Sequence, residues 1–163
     1  MNEYSAVNPE IVVGIDGSPE ALGALREALR LADALDGKVR VICAWAWPVG
    51  QGFVAGPPIN WNPESDALEI LATSLRKVEV PAGVEVTTEA VYGDAAEILI
   101  EASQRAYMVL TGSTGAGMAR ALFLGSVSTR VAQRAACPVL VWRPSAVGLA
   151  ADSALREELA LNL

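Results

Sequence analysis

The chain of 163 residues is 52% hydrophobic with a mean hydropathy of +0.34, which suits one folded domain and excludes a disordered chain. No apolar run reaches the ~18 residues of a membrane span, Met1 to Ser5 lack the basic-then-apolar order of a secretory signal, and two cysteines, Cys43 and Cys137, are too few for a disulfide scaffold, so a cytoplasmic protein with no membrane partner is expected. The absence of histidine removes Ser-His, Cys-His and His-ligated metal chemistry, and a net charge of −7 argues against a nucleic-acid partner.

Glu10-Ile-Val-Val-Gly-Ile-Asp16 is short, apolar and β-branched, as expected of a central parallel strand covered on both faces. Gly17-Ser18-Pro19-Glu20 then starts a helix: Ser18 suits the N-cap, Pro19 the first helical position, and Glu20 the positive dipole end. Leu22, Leu25, Leu29 and Ala32 recur at helical spacing, and Gly37 ends the helix. Lys38 to Trp45 alternates, with Val39, Val41, Cys43 and Trp45 on one face, and is the second strand.

Residues 46–63 hold four prolines and three glycines and read as a long loop, whose Trp47, Phe53 and Trp61 could supply apolar cover to a neighbouring cleft. A helix restarts at Asn62-Pro63-Glu64, with Leu68, Leu71, Leu75 and Val78 expected inward. Val84 to Val91 is a third strand, its Glu85 and Glu89 suiting a sheet edge with one wet face. Gly93-Asp94 caps a third helix carrying Ile98, Leu99 and Ala102. Tyr107 to Gly112 is a fourth strand, residues 113–124 a glycine-containing loop, and Ser126 to Ala136 a fourth helix with Val127, Val131 and Ala135 inward. Val139 to Trp142 is the last strand, entered through Pro138.

Strict β/α alternation predicts an α/β fold: an open parallel sheet with helices on both faces. Residues 1–145 form a single domain on this reading, and 146–163 are a C-terminal tail in which Leu155 and Leu159, four apart, could build a short helix.

In open parallel sheets, ligands bind beyond the carboxyl ends of the strands where strand order reverses. If strands 1 and 4 are neighbours, Asp16-Gly17-Ser18 meets Gly112-Ser-Thr-Gly115 at one cleft. A carboxylate there suits ribose hydroxyls, glycines let the backbone approach closely, and Gly125-Ser126-Val127-Ser128 opens a helix whose free amides suit phosphate. Separately, each feature has a plain structural reading: Asp16 in a turn, Gly112 and Gly115 turning the chain, Ser126 as a cap. Together they favour a nucleotide site. Charge distribution agrees, because residues 102–151 carry five arginines and no acid while residues 1–101 carry 16 acids and six bases. No P-loop, dinucleotide fingerprint or hydrolase elbow is present, no general base stands ready to attack a phosphate, and neither catalytic residues nor metal ligands are assigned.

These residues resemble the universal stress protein family over nearly the whole length, Ile11 to Arg143. The resemblance rests on Val-Val-Gly-Ile-Asp-Gly-Ser at 12–18, Tyr92-Gly93-Asp94-Ala95, and the block from Gly112 to Trp142. That block fits the family's nucleotide signature, Gly-x2-Gly-x9-Gly-Ser/Thr, at Gly112, Gly115, Gly125 and Ser126. The resemblance implies a five-stranded, Rossmann-like sheet in the order 3-2-1-4-5 and ATP binding with little or no catalysis, in stress survival or regulation. It implies that Asp16 faces adenosine with its carboxylate on the ribose, that Gly17 and Ser18 belong to the same nucleotide site, that Ala44 lies against adenine and Gly112 near the ribose, and that Gly115, Gly125, Ser126, Val127 and Ser128 hold phosphates. Tyr107 stands where relatives commonly have Asp, and Thr114 and Ala116 where their loop is often basic, which leaves AMP, ADP or a cyclic nucleotide as alternatives to ATP. Mg²⁺ would accompany ATP. Two other readings remain: a slow metal-dependent ATPase, and a dimeric interaction module without nucleotide. Val139 to Trp142, an uncharged edge strand, is expected to pair with a second copy in a homodimer, as family members often do, and a further protein partner is unknown.

Overall fold

The computed structural model describes residues 8–47, 61–114 and 124–144. In chain order the elements are β1 (Glu10–Gly14), α1 (Pro19–Ala34), β2 (Lys38–Trp45), α2 (Pro63–Arg76), β3 (Glu85–Tyr92), α3 (Ala95–Ser103), β4 (Met108–Gly112), α4 (Ser126–Arg134) and β5 (Val139–Trp142). The five strands pair in parallel in the order β3-β2-β1-β4-β5, as expected.

Side-chain alternation splits the core into two layers. Ile11, Val13, Val41, Cys43 and Leu110 point into the layer under α1 and α2. Val12, Ile42 and Val109 point into the layer under α3, which α4 and Val131 complete. Burial on both faces explains why Ile11 to Val13 of β1 and Val109 and Leu110 of β4 are apolar in succession, since neither face meets water there.

The helix starts follow the caps read from sequence. Ser18 Oγ accepts from Ala21 N at 3.2 Å, Asn62 Oδ1 accepts from Glu64 N at 3.0 Å, and Asp94 Oδ1 accepts from Glu97 N at 3.0 Å. Each satisfies an amide that the helix leaves unpaired.

Several details differ from expectation, and β3 and β4 each start one residue later than read from the sequence. β1 ends at Gly14, because the chain must turn through Gly17 at φ +83° to start α1. α4 ends at Arg134, with Ala135 already extended at ψ 146° toward Pro138. On α2 the inward stripe is Pro63, Ala67, Leu71 and Ser74, and Leu68 is 54% exposed, one residue round the helix from the buried line. At the sheet edge, Leu140 and Trp142 pack against the α1 layer of their own chain. Trp142 fits there because α1 carries glycine at position 23, where a Cβ would lie 2.5 Å from the indole. Gly115, the tip of the loop to α4, and the tail 146–163 lie outside the described residues, as do 48–60 and Phe53.

Candidate functional site

The carboxyl ends of β1 and β4 adjoin, since Val13 pairs with Leu110, and a cavity of about 260 Å³ opens beyond them. Its floor is the α3-side face of three strand ends: Gly14 of β1, Ile42 and Ala44 of β2, and Thr111 of β4. Ala95 and Leu99 of α3 form one wall, and Gly125 to Ser128 at the start of α4 form another. Asp16 and Ala21 close the side toward α1.

Asp16 is exposed at the rim, and its Oδ1 accepts from Ser18 N at 3.0 Å, which orients the carboxylate. Gly17 and Ser18 build that turn and are not among the lining residues. Gly17 supplies the positive φ, and the Ser18 hydroxyl is committed to the α1 cap. Ala44, Gly112, Gly125, Ser126, Val127 and Ser128 all line the cavity together with Asp16.

Gly112 has a packing role beside its place in the cavity lining. Its φ is not in the left-handed range, and a Cβ there would lie 2.8 Å from Ala21 N and 2.9 Å from the Glu20 carbonyl carbon. The missing side chain makes room for the first turn of α1, so this glycine allows helix and strand to close on each other.

The α4 entry has an unusual cap. Gly125 is the N-cap and offers no side-chain acceptor, and no acid stands in the first turn. Ser126 is exposed and Gly125 to Ser128 line the cavity, so the start of α4 and the positive end of its dipole lie against it, with no acid in that first turn. Ser128, in contrast, is 2% exposed and donates its hydroxyl to Gly125 O at 3.0 Å and Ser113 O at 3.3 Å. Ser113 O also accepts from Gly125 N at 2.7 Å, and Ser113 N donates to Trp142 O at 2.8 Å. The loop residue Ser113 thus ties the start of α4 to the end of β5.

Two of the arginines in the acid-free half are not free charges. Arg130 Nη2 lies 2.6 Å from Glu97 and Nη1 3.0 Å from Asp94, while Arg134 also pairs with Glu97. These contacts clamp α4 to α3. Glu97 is held below the usual carboxylate range by the Arg134 and Arg130 guanidinium groups, and Asp94 chiefly by the Glu97 amide it caps, with Arg130 second. Arg130 and Arg134 are thus engaged with acids of α3 rather than turned to the cavity, which leaves the α4 amides as a source of positive potential there among the described residues.

Thr111 was not singled out from the sequence, although it is the one hydroxyl in the apolar run Met108-Val-Leu-Thr111. Leu99 was read only as a residue of the third helix, Ala95 only as part of the motif that starts it, and Gly14 and Ile42 only as strand. Their part in the cavity follows from which sheet face α3 covers, which spacing does not reveal.

The family model of the universal stress protein family matches residues 8–143. A universal stress protein of Methanocaldococcus jannaschii is 33% identical over 140 residues, covering 81% of this chain and 80% of that protein. One from Mycobacterium tuberculosis is 32% identical over 142 residues, covering 80% of this chain but only 46% of its own length, so the chain spans about half of such mycobacterial relatives. Among solved structures, UspA from Lactobacillus plantarum superposes with a TM-score of 0.61 at 19% identity, covering 84% of this chain and 99% of that one. A universal stress protein in complex with cAMP gives 0.60 at 23% identity, with 86% and 100% covered. One from Archaeoglobus fulgidus in complex with dAMP gives 0.56 at 19% identity, with 85% and 99% covered. These structural likenesses agree with the fold, and the sequence matches settle the lineage: the chain belongs to the universal stress protein family.

Proposed function

We propose that this protein binds an adenine nucleotide, ATP first, in the cavity at the ends of β1 and β4, and acts in stress response through its bound state without catalysing a reaction. The observation that carries the reading is the uncapped α4 N-terminus opening onto the same cavity as Asp16. A ligand spanning the two would offer anionic phosphates to the helix amides and sugar hydroxyls to the carboxylate. Ala44 and Ile42 leave a small apolar floor suited to a planar base. Mg²⁺, if it accompanies ATP, would neutralise phosphate charge in a site that brings little side-chain cation of its own. The cAMP and dAMP complexes of the two relatives support an adenine nucleotide and keep monophosphates and cyclic nucleotides as alternatives to ATP. Native mass spectrometry of the purified protein, followed by calorimetric titration with ATP, AMP and cAMP, tests the reading. A saturable adenine nucleotide supports it, and no binding of any of the three at millimolar concentration overturns it.

The output is assigned to a nucleotide-sensitive homodimer through β5 or to a protein partner that reads the cavity. The two sheet edges differ in a way that favours β5. β3 exposes Glu85, Thr87, Thr88 and Glu89, whose charges oppose edge pairing, whereas β5 carries only Val-Leu-Val-Trp.

A further inference from the structure

Among the described residues, three buried side-chain polar atoms lack a hydrogen-bond partner: Arg40 Nε, Trp45 Nε1 and Thr111 Oγ1. Arg40 Nε still lies 3.5 Å from the Glu10 carboxylate, and Trp45 faces the α1 and α2 layer, away from the cavity. Thr111 alone of the three lines the cavity, and it is only 4% exposed. Burying a hydroxyl without a partner is unfavourable, so a native chain retains one where a ligand completes it or where some other need outweighs the cost.

The neighbours of Thr111 indicate which part of a ligand it meets. Gly14, Ile42 and Ala44 share its sheet face, and Leu99 and Ala95 lie over that face from α3. All are apolar. A phosphate dianion seated among them would lose its hydration with no cation or amide to replace it. Phosphates belong instead at Ser126, which is exposed, at the uncapped helix end. A nucleoside suits the apolar floor, because its faces are apolar while base edge and sugar carry uncharged heteroatoms. A threonine hydroxyl can donate to or accept from any of these.

We infer that the Thr111 hydroxyl hydrogen-bonds the nucleoside portion of the ligand and sets the position of base and sugar independently of the phosphates. This rests on the nucleotide reading above and adds to it a residue, a bond and a division of labour. Thr111→Val keeps the side-chain shape and removes the hydroxyl, so the two states of the protein respond in opposite directions. The ligand-free variant melts about 2–4 °C higher, since an unpaired buried hydroxyl is gone. Its affinity for adenosine, AMP and ATP falls by one common factor of about ten, the value of one net hydrogen bond. Thr111→Ser, which restores the hydroxyl, recovers most of that affinity. Calorimetric titration with the three ligands, beside thermal unfolding without ligand, reads all of this. Affinities within about twofold of the parent protein's in Thr111→Val overturn the inference, and so does a loss confined to AMP and ATP, which would put the hydroxyl on phosphate. Failure of the unmutated chain to bind any of the three overturns the nucleotide reading itself, and the inference with it.

Discussion

Replacing Ser126 with aspartate pits the fold against the ligand at a single atom group. Ser126 is the first residue of α4, exposed, beyond a glycine N-cap that supplies no side-chain acceptor. A carboxylate there sits on the positive end of the helix dipole and stabilises the helix by roughly 0.3–1 kcal/mol. The same carboxylate would stand about 5 Å from a phosphate held by the α4 amides, where like charges repel by roughly 1 kcal/mol per charge pair in water and roughly 3 kcal/mol at an effective dielectric constant of about 20. AMP and ATP affinity should therefore fall by about ten- to a hundredfold, while adenosine, which carries no phosphate, binds as before. Thermal unfolding of the ligand-free variant should show equal or higher stability, which separates lost binding from lost folding. Titration calorimetry at two salt concentrations reads the repulsion directly, since part of the loss should recover as salt screens it. An unchanged AMP affinity, or an equal loss for adenosine and AMP, would refute the placement of phosphate at this helix end.

Gly112→Ala should lower the melting temperature, at a cost of about 1–3 kcal/mol for overpacking, because the new Cβ meets the α1 backbone at 2.8 Å; unfolding in denaturant checks it, and a neutral result would mean that the first turn of α1 shifts freely. Light scattering should give a mass near twice 17.0 kDa for the unmutated chain. Val141→Lys should shift it toward monomer without unfolding, since Val141 belongs to neither core cluster. The Cys43 thiol is pushed up to about 11 from the ordinary 9.0, first by burial and then by the negative charge of Asp16. A raised folded-state value means that its contribution is complete below pH 9.0 and lost as pH climbs toward about 11, because the unfolded chain ionises first. Unfolding free energy measured from pH 8 to 11 should fall along that window, and Cys43→Ala should flatten the fall.

Much of this organisation was legible in the residues. Ser18-Pro19, Asn62-Pro63 and Asp94 mark helix starts by chemistry that acts within four residues, so no tertiary knowledge is needed. The central place of β1 and β4 and the edge place of β3 follow from apolar runs against wet alternation, whereas the full strand order came with the family resemblance. What stayed hidden depends on packing between distant segments. Leu68 looked inward because leucine is apolar, yet the buried stripe of α2 runs through smaller Ala67 and Ser74, where the helix lies close to the sheet. Gly112 was read as a close backbone approach to a ligand; it does line the cavity, and its missing side chain also admits the first turn of α1, which spacing could not reveal. Arg130 and Arg134 counted as free positive charge until α3 brought Asp94 and Glu97 against them. Asp16, Ala44, Gly112, Gly125, Ser126, Val127 and Ser128 were named in advance and do converge on one cavity, whereas Thr111 gained its interest only from burial without a partner.

The bonds through Ser113 have a mechanical consequence. Its amide donates to the last carbonyl of β5 and its own carbonyl accepts from the amide of Gly125, the N-cap of α4, so two short bonds join the edge strand to the helix end at the cavity. Trp142, whose carbonyl takes part, is also wedged by its indole into the notch at Gly23, so β5 cannot slide without disturbing α1 as well. A second chain that drew the edge strand outward would pull on Ser113 and tilt the α4 amides, and a ligand that anchored those amides would resist the pull. Work done at either end is felt at the other by the same amount. In a protein that pairs through β5 and holds its ligand at α4, as proposed above, assembly and occupancy would be two handles on one lever, with a single serine as the pivot.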